Sequence, residues 1–261
     1  MNILEQIFSK KREEVEAAKL RISYAEIFDA AQSASRAPSF ANALKNQKGN
    51  PAIIAELKKA SPSAGVIREN FEPTELAASL ENAGASALSV LTEKNFFLGC
   101  EEYLKLAKAS VSIPILRKDF IFDTYQLCEA KAWGASAALL IVAMLKKEEL
   151  KSLLEFANSI SLEILTETHS EEELDTALEC GARIIGVNSR NLKTFDFDFS
   201  LFEKLISKIP DDCAAVAESG VTSRESLLAA AAAGADACLV GTTLMNKNNP
   251  AVELKKLLGT L

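Results

Sequence analysis

Charged residues collect in a few short words, each at the end of an apolar run, and their types suit acid–base work on an anionic substrate. The first word is Glu56-Leu57-Lys58. Side chains two apart on a strand share a face, so this carboxylate and ammonium would point the same way. A solvated ion pair at a strand end fits the same spacing. Leu116-Arg117-Lys118-Asp119-Phe120 sets three charges behind an apolar run, and charges need partners if they are buried. Lys118 is a candidate general acid. Among other cations in a closed site its pKa should fall, and its proton should leave more readily. Glu167, in Leu165-Thr166-Glu167-Thr168-His169, is either a general base or the partner of a cation such as Lys118. His169 is the chain's one histidine; just before Ser170, it is expected to cap a helix at the surface. Asn188 and Arg190 repeat the two-residue spacing, and the fork of Arg190 suits a carboxylate.

Other words suit a phosphate or a ring. Ser61-Pro62-Ser63-Ala64-Gly65 is a loop whose hydroxyls could meet a phosphate, although alone it reads as a turn. Glu218-Ser219-Gly220 and Gly241-Thr242-Thr243 each follow an apolar run. Glycine there lets an anion approach backbone N–H groups, and a helix start adds its dipole. Phe96 and Phe97 are adjacent aromatics in a loop; they could wall an aromatic substrate or pack on the N-terminal segment. The run Leu139-Leu140-Ile141-Val142 offers only apolar wall.

These words need a frame that brings them together. Gly-Ala follows a helix-like stretch at Gly84, Gly134, Gly181 and Gly234, and an apolar run follows each. Glycine ends a helix there in the left-handed conformation without a Cβ clash. The four runs span 87–91, 137–142, 183–187 and 237–240, and four more lie midway at 52–57, 113–116, 162–166 and 213–217. All are short and apolar, as strands buried on both faces should be. Helical patterns lie between them. One spans 171–180, with Ser170 and Glu173 in capping-box spacing; one spans 123–133, opened by Asp123; one is the alanine-rich 223–233. Eight strand–helix alternations predict an α/β fold, a single closed (βα)8 (TIM) barrel over residues 1–261. An open doubly wound sheet would carry a Gly-rich fingerprint after its first strand, and none is present. Residues 1 to about 48 read as an N-terminal helical extension, with Ile3, Ile7 and Val15 among charges over 2–19, placed to lid the barrel. In such a barrel the words above fall where chemistry is done, at the strand ends, with phosphate after strands seven and eight.

Composition narrows the partners. The 261 residues carry 29 basic and 36 acidic side chains, a net charge of −7, which argues against a nucleic-acid binder. Five scattered cysteines with no C-x-x-C pair predict neither a disulfide framework nor a zinc ribbon. No signal peptide and no membrane-length apolar run are apparent, so the expectation is a cytoplasmic protein.

With these residues in line, the chain resembles the indole-3-glycerol-phosphate synthase family of tryptophan biosynthesis. The likeness is continuous from about Ala52 to Met245. It is carried by Ile54-Ala55-Glu56-Leu57-Lys58-Lys59-Ala60-Ser61-Pro62-Ser63, Leu116-Arg117-Lys118-Asp119-Phe120, Gly186-Val187-Asn188-Ser189-Arg190-Asn191-Leu192, Ala217-Glu218-Ser219-Gly220 and Leu239-Val240-Gly241. The first word is highly specific; the last two are shared by many phosphate-binding barrels. Thr166 and Thr168 flank Glu167 where the family often has valines, and Thr242 stands where serine or glutamate is common.

The resemblance implies ring closure of 1-(2-carboxyphenylamino)-1-deoxyribulose 5-phosphate with loss of CO2 and water, using no metal and no organic cofactor. It implies Lys118 as general acid in the condensation and Glu167 as general base in the dehydration. Glu56 and Asn188 would hold substrate hydroxyls and the anilino nitrogen. Lys58 and Arg190 would orient Glu56 and meet the departing carboxylate. Ser61, Ser219, Gly220, Gly241 and Thr242 would form the phosphate cradle, and Phe97, Phe120 and Leu139 the aromatic pocket. The expected partner is a small phosphorylated molecule, with no nucleic acid and no membrane, and the expected state is a monomer. Two alternatives stand beside this reading. A phosphoribosylanthranilate isomerase-like barrel would need a cysteine and aspartate acid–base pair, where the first strand here offers Glu and Lys. A non-catalytic phosphate-binding barrel would have lost some of Glu56, Lys58, Lys118, Glu167 and Asn188, and all are present.

Overall fold

Eight parallel strands close on themselves in a computed structural model that describes residues 3–45, 50–188 and 199–261. The strands are β1 (Ala52–Leu57), β2 (Ala87–Leu91), β3 (Ile115–Lys118), β4 (Ala137–Ile141), β5 (Glu163–Thr168), β6 (Ile184–Asn188), β7 (Ala214–Glu218) and β8 (Ala237–Val240). Neighbours in sequence are neighbours in the sheet, and β8 pairs with β1 to shut the barrel. The order is that of the sequence expectation, a TIM barrel. A short hairpin, Ala60–Ser61 with Gly65–Val66, stands at the mouth where a plain loop was expected after β1.

Four strands differ from their expected bounds in a consistent way. β3, β5, β6 and β7 each run one or two residues further, through Lys118, Thr168, Asn188 and Glu218. The apolar run alone predicts a shorter strand, but the ladder does not stop where side chains turn polar. Leu91 pairs with Lys118, Glu167 with Gly186, and Asn188 with Glu218. The chemistry-bearing residues therefore sit on the strands themselves, held by backbone hydrogen bonds.

The two-residue period explains their direction. Ala52 and Ile54 of β1, Leu116 of β3, Leu165 of β5, Ile184 of β6, and Ala214 and Val216 of β7 pack inside the barrel. Counting on by two from each gives Glu56, Lys118, Glu167, Asn188 and Glu218. The interior is thus apolar low down and charged at the C-terminal rim. The opposite parity packs outward against the helices, through Ile53, Val90, Leu140 and Ile185.

Helices follow the strands: α4 (Pro73–Asn82), α5 (Glu101–Ser110), α6 (Thr124–Ala132), α7 (Lys147–Ser159), α8 (Glu171–Glu179), α9 (Phe199–Ile206), α10 (Arg224–Ala232), then α11 (Thr242–Met245) and α12 (Pro250–Leu258). Gly84, Gly134, Gly181 and Gly234 have φ between 87° and 107°, the left-handed helix ends their Gly-Ala words predicted. Asp123 caps α6 as expected, and Ser223 caps α10. Ser170 caps α8, but the capping box there is only half made: the Glu173 carboxylate accepts from the His169 N–H instead.

Among the described residues three helices precede β1: α1 (Ile3–Arg21), α2 (Tyr24–Ser33) and α3 (Phe40–Lys45). They serve both ends of the barrel. Ile3 and Ile7 of α1 line the mouth. Phe40 and Leu44 of α3 plug the opposite end, packed with Ala52, Ala87 and Ala237. Between them α2 lies on α6, with Ile27 and Ala31, joined by Val15 of α1, against Tyr125 and Cys128. The extension thus lids the mouth, as the sequence suggested, and also closes the floor.

Candidate active site

A cavity of about 390 Å³ opens at the C-terminal rim. Its wall includes Glu56, Lys58, Ser61, Phe97, Lys118, Phe120, Leu139, Glu167, Asn188, Ser219, Gly220, Gly241 and Thr242, but not Phe96. Arg190 lies outside the described residues.

Lys118 is the hub. Its Nζ lies 2.7 Å from Glu167 Oε2 and 2.9 Å from Glu218 Oε2. The expectation of a lowered lysine pKa is wrong. Burial alone would lower it, but the carboxylates of Glu167, Glu218 and Glu56 override burial and raise it above the usual lysine range. The cation expected to repel it, Arg117, sits on the opposite parity and faces outward. Arg117 pairs with Asp119 and Glu129, donates to the Gln126 carbonyl and stacks over Trp133 at 4.2 Å.

The carboxylates around Lys118 differ sharply. Glu167 is buried, which favours its neutral form, yet Lys118 and His169 hold it well below the usual carboxylate range. Its Oε1 accepts from Asn188 Nδ2 at 3.1 Å. Glu218 is pushed up to about 8, by burial and by the nearby Glu167 charge against the pull of Lys118. The two glutamates beside Lys118 are thus driven in opposite directions, Glu167 toward its ionised form and Glu218 toward its neutral one. A parallel pair lies on β1, where Glu56 Oε2 meets Lys58 Nζ at 2.6 Å. Glu56 is buried rather than solvated.

Glycine makes room for these groups. A Cβ at Gly186 would fall 2.1 Å from Glu218 Oε1. One at Gly241 would fall 2.1 Å from Glu56 Oε2 and 3.1 Å from Lys58 Nζ. Ser219 and Gly220 are both left-handed, with φ of 69° and 80°, and turn the chain sharply at the end of β7. Gly241 opens α11; its carbonyl accepts from the Leu244 and Met245 N–H groups, which leaves those of Thr242 and Thr243 without a partner within the helix.

The aromatic side is also built. Phe97 and Phe120 approach with ring centroids 6.1 Å apart. The buried Glu93 carboxylate accepts from the N–H groups of Asn95, Phe96 and Phe97, which fixes the loop that presents Phe97. Phe120 is fixed through Asp119, whose Oδ1 accepts the Phe120 N–H at 2.9 Å. Asp119 also takes Thr92 Oγ1, Arg117 and Lys11 of α1.

Three residues here escaped the sequence reading of the site. Glu218 was seen only as part of a phosphate word, although two-residue counting from Ala214 and Val216 reaches it. His169 was expected at the surface; its ring is 14% exposed, and Nε2 lies 3.2 Å from Glu167 Oε1. Lys11 carries no local signal, since it is one basic residue in a charged helix.

A closed parallel barrel with opposed ammonium and carboxylate groups at its C-terminal rim, beside glycine turns after β7 and β8, defines a (βα)8-barrel enzyme of the acid–base kind. Comparisons with known proteins make the assignment specific. The family model of indole-3-glycerol phosphate synthase matches residues 4–257. An indole-3-glycerol phosphate synthase of Campylobacter jejuni subsp. doylei is 46% identical over 260 residues, covering 98% of this chain and all of that protein. The Aliarcobacter butzleri protein of that name is 45% identical over 261 residues, covering 99% of each. Among solved structures, the N-acetylmannosamine-6-phosphate 2-epimerase of Clostridium perfringens matches with a TM-score of 0.63 at 15% identity, covering 88% of this chain and 99% of that one; this likeness concerns the fold alone. The chain belongs to the indole-3-glycerol phosphate synthase family, decarboxylating lyases of tryptophan biosynthesis.

Proposed function

We propose that this rim closes the five-membered ring of 1-(2-carboxyphenylamino)-1-deoxyribulose 5-phosphate, with release of CO2 and water. The observation that carries the reading is Lys118 bridging Glu167 and Glu218 in the same cavity as the Phe97–Phe120 pair. The ring lies against Phe97, Phe120 and Leu139, and the ribulose chain folds back over it. Holding the two ends of a flexible substrate together addresses the largest part of the barrier. Lys118 faces the ribulose carbonyl. Its proton is tightly held in the resting site, so it leaves as the carbonyl oxygen gains charge and basicity during carbon–carbon bond formation. Before transfer, the ammonium stabilises that charge directly.

Loss of CO2 from the carbon that formed the new bond restores the aromatic ring. Glu167, already ionised, serves as base in the dehydration that follows, while Asn188 and Glu56 hold hydroxyls and the anilino nitrogen. Lys58 steadies Glu56 through their 2.6 Å contact and, with Arg190, meets the departing carboxylate. Phosphate sits on Ser61, Ser219, Gly220, Gly241 and Thr242. We take the chain to act as one domain, a monomer in the cytoplasm that binds no nucleic acid. Five free thiols, four of them buried, fit a reducing compartment. Among the described residues no helix is long and apolar enough to cross a membrane. Crystals soaked in sulfate test the phosphate end: the anion is expected between Gly220 and Gly241, and an anion bound only along α1 would overturn that placement.

A further inference from the structure

His169 ends β5 with its ring between two carboxylates. Nε2 lies 3.2 Å from Glu167 Oε1, and Nδ1 lies 3.4 Å from Glu173 Oε2. Glu173 is fixed in turn, because the same Oε2 accepts the His169 backbone N–H at 2.8 Å. Helix α8 therefore reaches the catalytic rim through one imidazole. Glu167 accepts hydrogen bonds from Lys118 on Oε2 and from Asn188 on Oε1, and His169 Nε2 lies beside Oε1 as an ionic contact that is not aligned as a hydrogen bond. The charged and titratable groups facing this pair, among the described residues, are Lys118 from β3, Glu218 from β7 and Glu173 from α8. Burial alone would discharge the imidazole, but Glu167 and Glu173 outweigh it and push its pKa up to about 10.

The consequence appears during turnover. Glu167 rests against Lys118, the group that gives a proton to the substrate. Once Lys118 is neutral, Glu167 loses its nearest counter-charge and could take up a proton or swing. Asn188 holds Oε1 but supplies no charge. We infer that His169 is a positioning residue, a cationic wedge between Glu173 and Glu167 that keeps Glu167 ionised and aimed while Lys118 is deprotonated. It touches no substrate. The inference rests on Glu167 acting as the base.

The test is the pH dependence of kcat in His169→Asn, with Glu173→Gln and Glu167→Gln beside it. An ionised base is active above its pKa. Loss of a neighbouring cation raises that pKa, so the acidic limb should move to higher pH. In His169→Asn a shift of about one pH unit is expected, a tenfold change in proton affinity. The expected fall in kcat is about tenfold on that limb and small at pH 7, which lies above it, with KM within about twofold of wild type. His169→Gln should move the limb as His169→Asn does, whereas Glu173→Gln, which leaves the imidazole charged across the acidic range, should leave the limb within a few tenths of a pH unit of wild type. A merely structural histidine would lower thermal stability and leave the limb in place; that result overturns the proposal. If His169→Asn fails to fold, an unmoved limb in His169→Gln does the same. Glu167→Gln separates the two ideas. If it retains turnover, the base assignment fails; if it abolishes turnover while the limb of His169→Asn stays fixed, only the role of His169 fails.

Discussion

Lys11 ties the N-terminal helix to the active-site rim, and its removal should be felt in stability first. Its Nζ lies 2.9 Å from Asp119 Oδ1 and 2.7 Å from Glu14 Oε2, and the Lys11 and Asp119 side chains are only 4% and 1% exposed. Removing one partner of a buried pair costs roughly 3–5 kcal/mol. In Lys11→Met, Asp119 keeps Thr92 Oγ1 at 2.7 Å and Arg117 at 3.2 Å, so the lower end, about 3 kcal/mol, is expected. For a chain of this length each kcal/mol lowers Tm by about 2–4 °C, giving a drop of roughly 6–12 °C. The pH dependence has a definite sign. Lys11 has a raised pKa in the folded state, so its contribution is full below the ordinary lysine value and fades as pH rises through the folded one. Asp119 has a depressed folded pKa, so its share is full above the ordinary aspartate value and fades as pH falls through the folded one. The gap between wild type and Lys11→Met should be flat between about pH 5 and 9 and narrow at both extremes. Denaturant unfolding across pH, in a cycle with Asp119→Asn, measures this. A Lys11→Met cost under about 0.5 kcal/mol, or a gap that closes near neutrality, would refute the reasoning.

Gly241→Ala should reduce kcat/KM at least about tenfold, because its Cβ would fall 2.1 Å from Glu56 Oε2 and force that buried carboxylate off Lys58. Wild-type kinetics in that variant would show that Glu56 can move aside without loss. Phe120→Ala should lower kcat/KM for the aromatic substrate by an amount matching roughly 1.5–3 kcal/mol of lost apolar contact. Inhibition by inorganic phosphate should barely change; equal weakening of both would mean that Phe120 supports the whole mouth.

The barrel was legible because its strands are short apolar runs separated by glycine-ended helices, and both signals are local. Strand ends were less legible. Polar side chains at the rim look like loop in sequence, yet Lys118, Glu167, Asn188 and Glu218 remain in the ladder because the strand's hydrogen bonds do not depend on side-chain polarity. Counting by two from the inward apolar residues recovers each of them. Electrostatics was the least legible part. Arg117 and Lys118 are adjacent in sequence but face opposite sides of the sheet, so the expected repulsion is absent and three carboxylates from other strands set the Lys118 charge. His169 and Lys11 owe their positions to α8 and α1 docking on the rim, contacts that spacing along the chain does not reveal.

Lys118 is the centre of the account, and one assay tests it most directly. Single-turnover formation of indole fluorescence from 1-(2-carboxyphenylamino)-1-deoxyribulose 5-phosphate should be compared between wild type and Lys118→Ala, with folding checked by circular dichroism. Wild type should turn over, and the folded variant should be slower by about a hundredfold or more, the least expected when a general acid is removed. A folded Lys118→Ala that keeps more than about a tenth of the wild-type rate would contradict the account.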